Sequence, residues 1–463
     1  TKKAKDLVRK SVARSLKLQA LEQISLPVDK RALVVGGGIS GMNSALSLTK
    51  QGIEVFLLEK EKELGGNARF IFKTLEGNNV QKYLKDLISD VYKNPLIHVH
   101  TGVQIVEATG YVGNFLTKIK DEKGRIEDIK HGVVIVATGA KEYKPNEYLY
   151  GVSENVVTNR ELERLIFEKD EKVLKSENLV MIQCVGCRNE ERNYCSRICC
   201  SHSIKNAIEF KRLNPKGDVY ILFRDIRTDG FKEDYYRLAS ELGVRFIRFE
   251  PESGNVPEVR EVTEGGKKVI KVNVFDPVLQ KKIELSADLL SLASAVVPNE
   301  DVYDIAGFFK VSTSVDGFFK EAHVKLRPVD FGTDGVYLCG LAHYPKFIGE
   351  SIGQALASAS RAVTLLSSDT VSASGSICDV EEKKCIGCGA CVEVCAYSAI
   401  ELYKTSKGMK AKVNPVLCKG DGLCNAVCPT SAIQLKHFTD EQLISEIDSV
   451  FEQKISEKER KAG

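Results

Sequence analysis

Fourteen cysteines in 463 residues carry most of the chemistry open to this sequence, and they cluster. The C-terminal group reads C-x-x-C-x-x-C-x-x-x-C at Cys385, Cys388, Cys391 and Cys395, then repeats as Cys418, Asp421, Cys424 and Cys428, followed by Pro429. Three thiolates spaced by two residues wrap one iron–sulfur cube, and the fourth reaches across to a second. By that crossing rule one cluster uses Cys385, Cys388, Cys391 and Cys428. The other uses Cys395, Cys418 and Cys424, with Asp421 in the remaining place. A carboxylate binds iron less softly than sulfur. Two readings stay open: Asp421 or solvent completes a four-iron (4Fe-4S) cluster, or Asp421 is a surface residue beside a three-iron (3Fe-4S) one. A structural zinc site is the bland alternative, and the doubled spacing argues against it.

The second group is Cys184, Cys187, Cys195, Cys199 and Cys200. So many thiols in one short stretch exceed what packing needs. A third cluster is expected on Cys184, Cys195, Cys199 and Cys200, with ligands near a helix start whose dipole favours thiolates. Exchanging Cys184 for Cys187 stays open, and a catalytic dithiol at Cys184 and Cys187 is the rival chemistry. Cys339 and Cys378 stand alone and read as small buried hydrophobes. The seven histidines form no ligand pattern.

The third chemical stretch runs from Arg31 to Arg69. Ala32–Val35 is an apolar, β-branched run that reads as a buried parallel strand. Gly36, Gly38 and Gly41 follow at G-x-G-x-x-G spacing. Such glycines give a tight turn, close approach to a pyrophosphate, and close helix–strand packing. A helix from Met42 to Lys50 and a strand from Glu54 to Leu58 lead to Glu59, placed to accept from a ribose. Two later features favour FAD over NAD. Leu64-Gly65-Gly66 resembles the second contact loop of two-dinucleotide-domain flavoproteins, and Val133–Val136 ends in Ala137-Thr138-Gly139, a strand-end glycine that returns to the cofactor. Lys60, Arg69, Gly340, Gly349 and Gln354 complete the candidate cofactor set. Lys346 precedes the Gly349 helix, whose free N–H groups should face the flavin, and its ammonium is expected to tune the flavin. The plain alternative for Lys346 is a solvated surface lysine.

Periodicity supplies the elements that position these groups. Residues 1–29 are an amphipathic helical arm, with Ala4, Val8, Val12 and Leu16 on one face and Pro27 ending it. Residues 30–150 form the first half of an FAD-binding domain, with a helix over Gln81–Tyr92. Residues 151–322 form a second Rossmann-like domain: strand Leu179–Val185, helix Ser201–Leu213, strand Asp218–Phe223. Its strand-to-helix connection has cysteines where a pyrophosphate loop belongs. Residues 323–372 return to the flavin domain through strand Gly335–Leu338 and a small-residue helix from Gly349. After a linker at Ser372–Ser376, residues 373–437 form a dicluster ferredoxin domain. Residues 438–463 hold a helix with Leu443, Ile444, Ile447, Val450 and Phe451 on one face, then a frayed tail from Lys454. At least one of the two terminal helices is expected to contact another protein of a complex.

A net charge of +3, from 66 basic and 63 acidic residues, gives no argument for nucleic acid or an anionic membrane. No apolar run reaches membrane-spanning length. The basic start, Lys2 to Lys17, is followed by no h-region or small-residue cleavage site, and Asp6 and Glu22 are acidic, so a cytoplasmic protein is expected. Cysteines in such a chain point to metal rather than disulfides.

Together, VVGGGISGM, EKELGGNARF, GYVGNF, VVIVATGA, QCVGCRNEERNYCSRICCSHSIKNA, ILFRDIRTDGFKEDYY and GLAHYPKFIGESIGQA, with the ferredoxin motif, resemble the A subunit of heterodisulfide reductase. The resemblance covers nearly the whole chain. It implies a thioredoxin-reductase-like two-domain α/β flavoprotein with a C-terminal ferredoxin, one FAD and three iron–sulfur clusters. It also implies electron bifurcation or confurcation at the flavin. The implied partners are cluster-bearing B/C-like subunits, ferredoxin, and hydrogenase or formate dehydrogenase linkers, around a homodimer of the flavoprotein. Long family members carry an extra ferredoxin insert after the segment matching Asn114-Phe115; here the chain runs straight to Val133, as a short form or separately encoded core. Leu341-Ala342 also replaces the acidic residue that usually follows the last strand's glycine. Other classes are an electron-relay subunit of a quinone-interacting or benzoyl-CoA-reductase-type complex, and a self-contained flavin disulfide or NAD(P)H reductase. The last needs a second phosphate loop or an exchangeable dithiol.

Overall fold

Ala32–Val35 lies at the centre of a five-stranded sheet, and all four of its side chains are buried, as an apolar run covered on both faces requires. The strand order is Val336–Leu338, Val133–Val136, Ala32–Val35, Val55–Glu59, Ile97–Thr101, all parallel. The computed structural model describes residues 1–21, 24–373 and 375–462. They fall into two compact units: residues 29–110 with 115–367, and residues 1–28 with 111–114 and 368–463.

In the larger unit, the helix Ile39–Thr49 starts earlier than its apolar pattern suggests, because Gly38 caps it. It packs on the helix Ile348–Leu366 through small residues: the Ser44 hydroxyl donates to the Ala355 carbonyl at 3.1 Å, and Ala355, Ala359 and Ala362 are buried. A second parallel sheet has the order Val156–Thr158, Leu289–Ser294, Asn178–Val185, Asp218–Phe223, Val244–Arg248. Its helix begins at Cys199, so Cys199 and Cys200 form the first turn of Cys199–Leu213. Two antiparallel three-stranded sheets accompany these layers, Val103–Tyr111/Asn114–Asp121/Ile126–His131 and Glu258–Glu264/Lys267–Asp276/Lys281–Ala287.

The smaller unit departs from expectation at both ends. The first helix spans only Lys2–Ser15 of the expected 1–29 arm, and Pro27 closes a strand, Ile24–Pro27, rather than a helix. That strand pairs antiparallel with Thr370–Ala373, so Ser372 and Ala373 are sheet residues rather than linker. Of the expected linker, Ser374 lies outside the described residues, as do Glu22 and, at the tail, Gly463. The C-terminal helix continues through the expected frayed segment, Asp440–Ala462. It packs on the first helix: the Ser445 hydroxyl donates to the Ala13 carbonyl at 3.2 Å, and Arg14 lies 4.2 Å over the Phe438 ring. Val8, Val12, Ile444 and Ile447 stay exposed. Between these elements the ferredoxin segment pairs Cys378–Val380 with Ile433–Leu435 and Ile400–Thr405 with Gly408–Val413. Among the described residues no helix is long and apolar enough to cross a membrane.

Candidate functional site

The glycine turn is dictated by contact. Gly36 has φ +112°, and a Cβ there would strike the Ala137 carbonyl oxygen; at Gly41 a Cβ would overlap the carbonyl oxygen of Gly36. At Gly38 nothing lies within 4 Å of where a Cβ would stand, which leaves the helix N-terminus open to a ligand. Glu59 is buried. One carboxylate oxygen accepts from the Gly37 N–H at 2.8 Å and the other from the Glu61 N–H at 2.9 Å. The acid therefore holds the turn's shape, with lone pairs left for a hydroxyl.

The turn opens onto a cavity of about 710 Å³. Gly36, Gly38, Glu59, Lys60, Gly65, Gly66, Arg69, Thr138, Gly139 and Lys346 all line it. Gly41, Gly340, Gly349 and Gln354 do not. Gly41 serves packing alone. Gly349 is solvent-exposed, because the helix turns Ile348 and Ser351 toward the cavity instead. Gln354 spends its amide on protein: its oxygen accepts from the Gly340 N–H at 3.0 Å, and its nitrogen meets His343 Nδ1 at 2.7 Å. Sequence reasoning missed Asn67, which directly follows Gly66, and also Arg160, Ser294, Asp301 and Ser351, which come to this wall from distant segments. Arg69 Nε, Thr138 Oγ1, Ser294 Oγ, Asp301 Oδ1 and Ser351 Oγ are buried with no hydrogen-bond partner. Unpaired buried polar atoms are costly. This combination of donors and acceptors in a mostly apolar cavity of that volume fits a dinucleotide.

Lys346 is half-buried, not a solvated surface lysine. Its ammonium donates to the Gly340 carbonyl at 2.9 Å, and burial lowers its pKa to about 8. His343, beside it, binds Glu321 at 2.9 Å.

The cysteine segment abuts the same cavity: Ile198 and Cys199 are part of its wall. Cys184, the penultimate residue of its strand, has φ +62°, where the sheet register shifts. A hydrogen bond from Cys187 and the Arg188 guanidinium, 3.9 Å away, draw the pKa of the Cys184 thiol below its ordinary value. Cys187 is correspondingly raised. Cys199 and Cys200 form a second hydrogen-bonded pair, with Cys199 raised and Cys200 lowered. Cys195 Sγ accepts from the Arg197 N–H at 3.3 Å and lies near enough to Cys187 to act on it electrostatically. All five thiols thus share one neighbourhood, and the choice between Cys184 and Cys187 stays open. The helix bearing Cys199 and Cys200 is anchored by buried Glu163, which binds His202 and Lys205, each at 2.7 Å.

In the smaller unit, Cys385, Cys388, Cys391 and Cys428 line one small cavity together, the set drawn from the crossing rule. The two halves repeat each other. Gly389 and Gly422 cap short helices in left-handed conformations, and Cys395 and Cys428 accept from the N–H groups of Ala399 and Ala432 at 3.3 and 3.2 Å. Cys378 is not alone. Its sulfur lies 3.3 Å from that of Cys424, and its N–H donates to Cys418 Sγ at 3.4 Å. Among the described residues no group of three or more His, Cys, Asp or Glu is arranged to hold a single ion. A cube spreads its thiolates over four irons and does not require that.

Residues 30–182 match the family model described as pyridine nucleotide-disulphide oxidoreductase, and residues 384–432 the 4Fe-4S dicluster domain. The chain is 35% identical to an iron-sulfur A subunit of CoB--CoM heterodisulfide reductase from Methanopyrus kandleri, over 97% of this chain and 82% of that protein. It is 33% identical to the A subunit of H(2):CoB-CoM heterodisulfide,ferredoxin reductase from Methanothermobacter marburgensis, over 98% of this chain and 81% of that one. Among solved structures, Lactococcus lactis thioredoxin reductase aligns over 73% of this chain and 99% of its own, at 15% identity and a TM-score of 0.51, a likeness of fold.

Proposed function

The chain belongs to the family of heterodisulfide reductase A subunits, and from that premise we propose that it splits or merges electron pairs at a flavin within a heterodisulfide-reductase-type complex. It is an FAD-dependent iron–sulfur oxidoreductase and electron-transfer subunit. The observation that carries the proposal is the shared cavity wall: the glycine turn and Cys199 border one space. FAD, when bound, exchanges electrons in pairs and singly, which lets one donor pair be divided between two acceptors.

The chain's own residues supply position and charge. Gly36 and Gly38 leave room for the pyrophosphate, and Glu59 offers its free lone pairs to a ribose. Thr138, Ser294, Asp301 and Ser351 pair their unmatched atoms with the cofactor, and Lys346 brings positive charge to it. Cys195, Cys199, Cys200 and one of Cys184 or Cys187 would hold the middle cluster, which would supply a one-electron carrier beside the wall that Cys199 lines. Two more clusters on the C-terminal repeat, three in all, connect to partners: cluster-bearing subunits, ferredoxin, and hydrogenase or formate dehydrogenase linkers. A cytoplasmic homodimer of the flavoprotein is the expected setting.

Anaerobic potentiometry of the loaded chain tests this reading. Bifurcation requires the two one-electron steps of the flavin to be crossed, the second at higher potential than the first. Two well-separated steps in the ordinary order would make the chain a single-electron relay. Rapid bleaching by NADH alone would favour a self-contained reductase.

A further inference from the structure

The second half of the ferredoxin repeat is one thiol short, because Asp421 stands at its second position. That carboxylate is exposed and is occupied locally, accepting from the Leu423 N–H at 3.3 Å. Another sulfur stands beside the gap. Cys378 is 2% exposed, its Sγ touches that of Cys424, and its N–H is bonded to Cys418 Sγ. Cys418 and Cys424 are the two cysteines that flank the Asp421 position.

The contact is built into the fold from both sides. The strand Cys378–Val380 is fixed by antiparallel pairing, with Cys378 opposite Leu435. Just before it, the Ser376 carbonyl oxygen lies where a Cβ on Gly420 would stand, so the loop from Cys418 to Gly422 is pressed onto this segment. Gly420 has φ +67°, which only glycine adopts without strain. A cysteine that merely filled space would rest its sulfur on carbon. This one rests it on the sulfur of a cluster cysteine and gives its N–H to another. It also lies outside residues 384–432, the span matched by the dicluster family, so the repeat spacing never points to it.

We propose that Cys378 takes the ligand place vacated at Asp421, completing a four-thiolate set with Cys395, Cys418 and Cys424. The proposal rests on the two-cluster reading of this domain. On assembly the Cys378 thiol loses its proton to solvent and its sulfur binds iron; no electron is transferred. A thiolate is the softer ligand and suits a cube better than a carboxylate does. Asp421 is then a surface residue, and the cluster keeps its fourth iron.

The test compares Cys378→Ser and Asp421→Ala in the whole chain, loaded with FAD and iron under anaerobic conditions, by iron and sulfide analysis and EPR. We expect Cys378→Ser to show a three-iron EPR signal in the oxidised protein and to lose about one iron per chain, and Asp421→Ala to match the parent. Cys378→Ser combined with Asp421→Cys should recover the four-iron form, which separates a lost ligand from a lost fold. A three-iron signal from Asp421→Ala together with an unchanged Cys378→Ser protein would overturn the proposal, as would failure of the combined variant to recover. A parent protein holding only one cluster in this domain would overturn the two-cluster reading, and the proposal with it.

Discussion

After Val35 the chain enters its helix through Gly36, Gly37 and Gly38; after Val185 it takes residues 186–198 to reach Cys199. Both turns leave the end of a central parallel strand, and both border the same cavity. The first puts glycine at its left-handed position, Gly36. The second region keeps Cys184, Arg188 and Arg197 in left-handed conformations, each costing about 1–2 kcal/mol. Glycine at those places would remove the strain, and with it a thiol and two guanidinium groups. Arg188 and Arg197 pair there with Asp225 and Glu350, each at 2.7 Å. The carboxylates differ in the same way. Glu59 shapes its turn through two N–H bonds and still faces the cavity, whereas Glu163 is saturated by His202, Lys205 and the Phe72 N–H.

The contrast between the turns is broken most completely by Cys199→Ala with Cys200→Ala. If the second turn is a cluster site, iron should fall by about four per chain, while flavin absorbance stays, because the glycine turn uses neither residue. Unchanged iron would hand the segment to the dithiol alternative.

Glu163→Ala comes next. It leaves Lys205 buried beside a lost partner, a change worth about 3–5 kcal/mol. Amide exchange should report that loss in the helix Cys199–Leu213, and not in Ile39–Thr49. Its pH dependence follows from the folded-state pKa of about 2, below the 4.5 usual for a glutamate. The carboxylate's contribution is complete above the unfolded value and is lost as pH falls toward 2, so parent and variant should converge in acid. Equal protection in both helices of the variant at neutral pH would show that Glu163 does not anchor the second turn.

The smallest effect belongs to Lys346→Ala. Removing one half-buried charge at the flavin should lower the flavin midpoint by roughly 30 mV, about 1.4 kcal/mol for two electrons. The lysine is charged below its pKa of about 8 and neutral above it, so the shift should be present at neutral pH and fade in alkali. A shift independent of pH would mean that the side chain acts by shape.

The parallel strands, the glycine turn and the ferredoxin repeat were legible because each is a local pattern: apolar runs buried on both faces, or fixed spacings. The Ala32–Val35 and Val133–Val136 strands have the expected bounds. What stayed hidden depends on pairing between distant residues. Ile24–Pro27 is a strand only because Thr370–Ala373 lies beside it, and Cys378 meets Cys424 only because Cys378 pairs with Leu435. Asp301 lies in no motif and Ser351 has no role of its own in the motif that contains it; their unmatched atoms become informative only inside the cavity. Gly349 illustrates the opposite error, since helix geometry turned its neighbours inward and left it in solvent.

The pairing of Ile24–Pro27 with Thr370–Ala373 also imposes an order of events on the growing polypeptide. Residues 1–28 emerge from the ribosome long before residues 368–463, yet both belong to the same unit. The leading strand therefore waits, without its partner, while the whole of the larger unit is synthesised and free to fold as a domain. The helix Lys2–Ser15 waits as well for Asp440–Ala462, the helix it packs against. Maturation of the smaller unit, iron delivery included, is accordingly a late step of biogenesis.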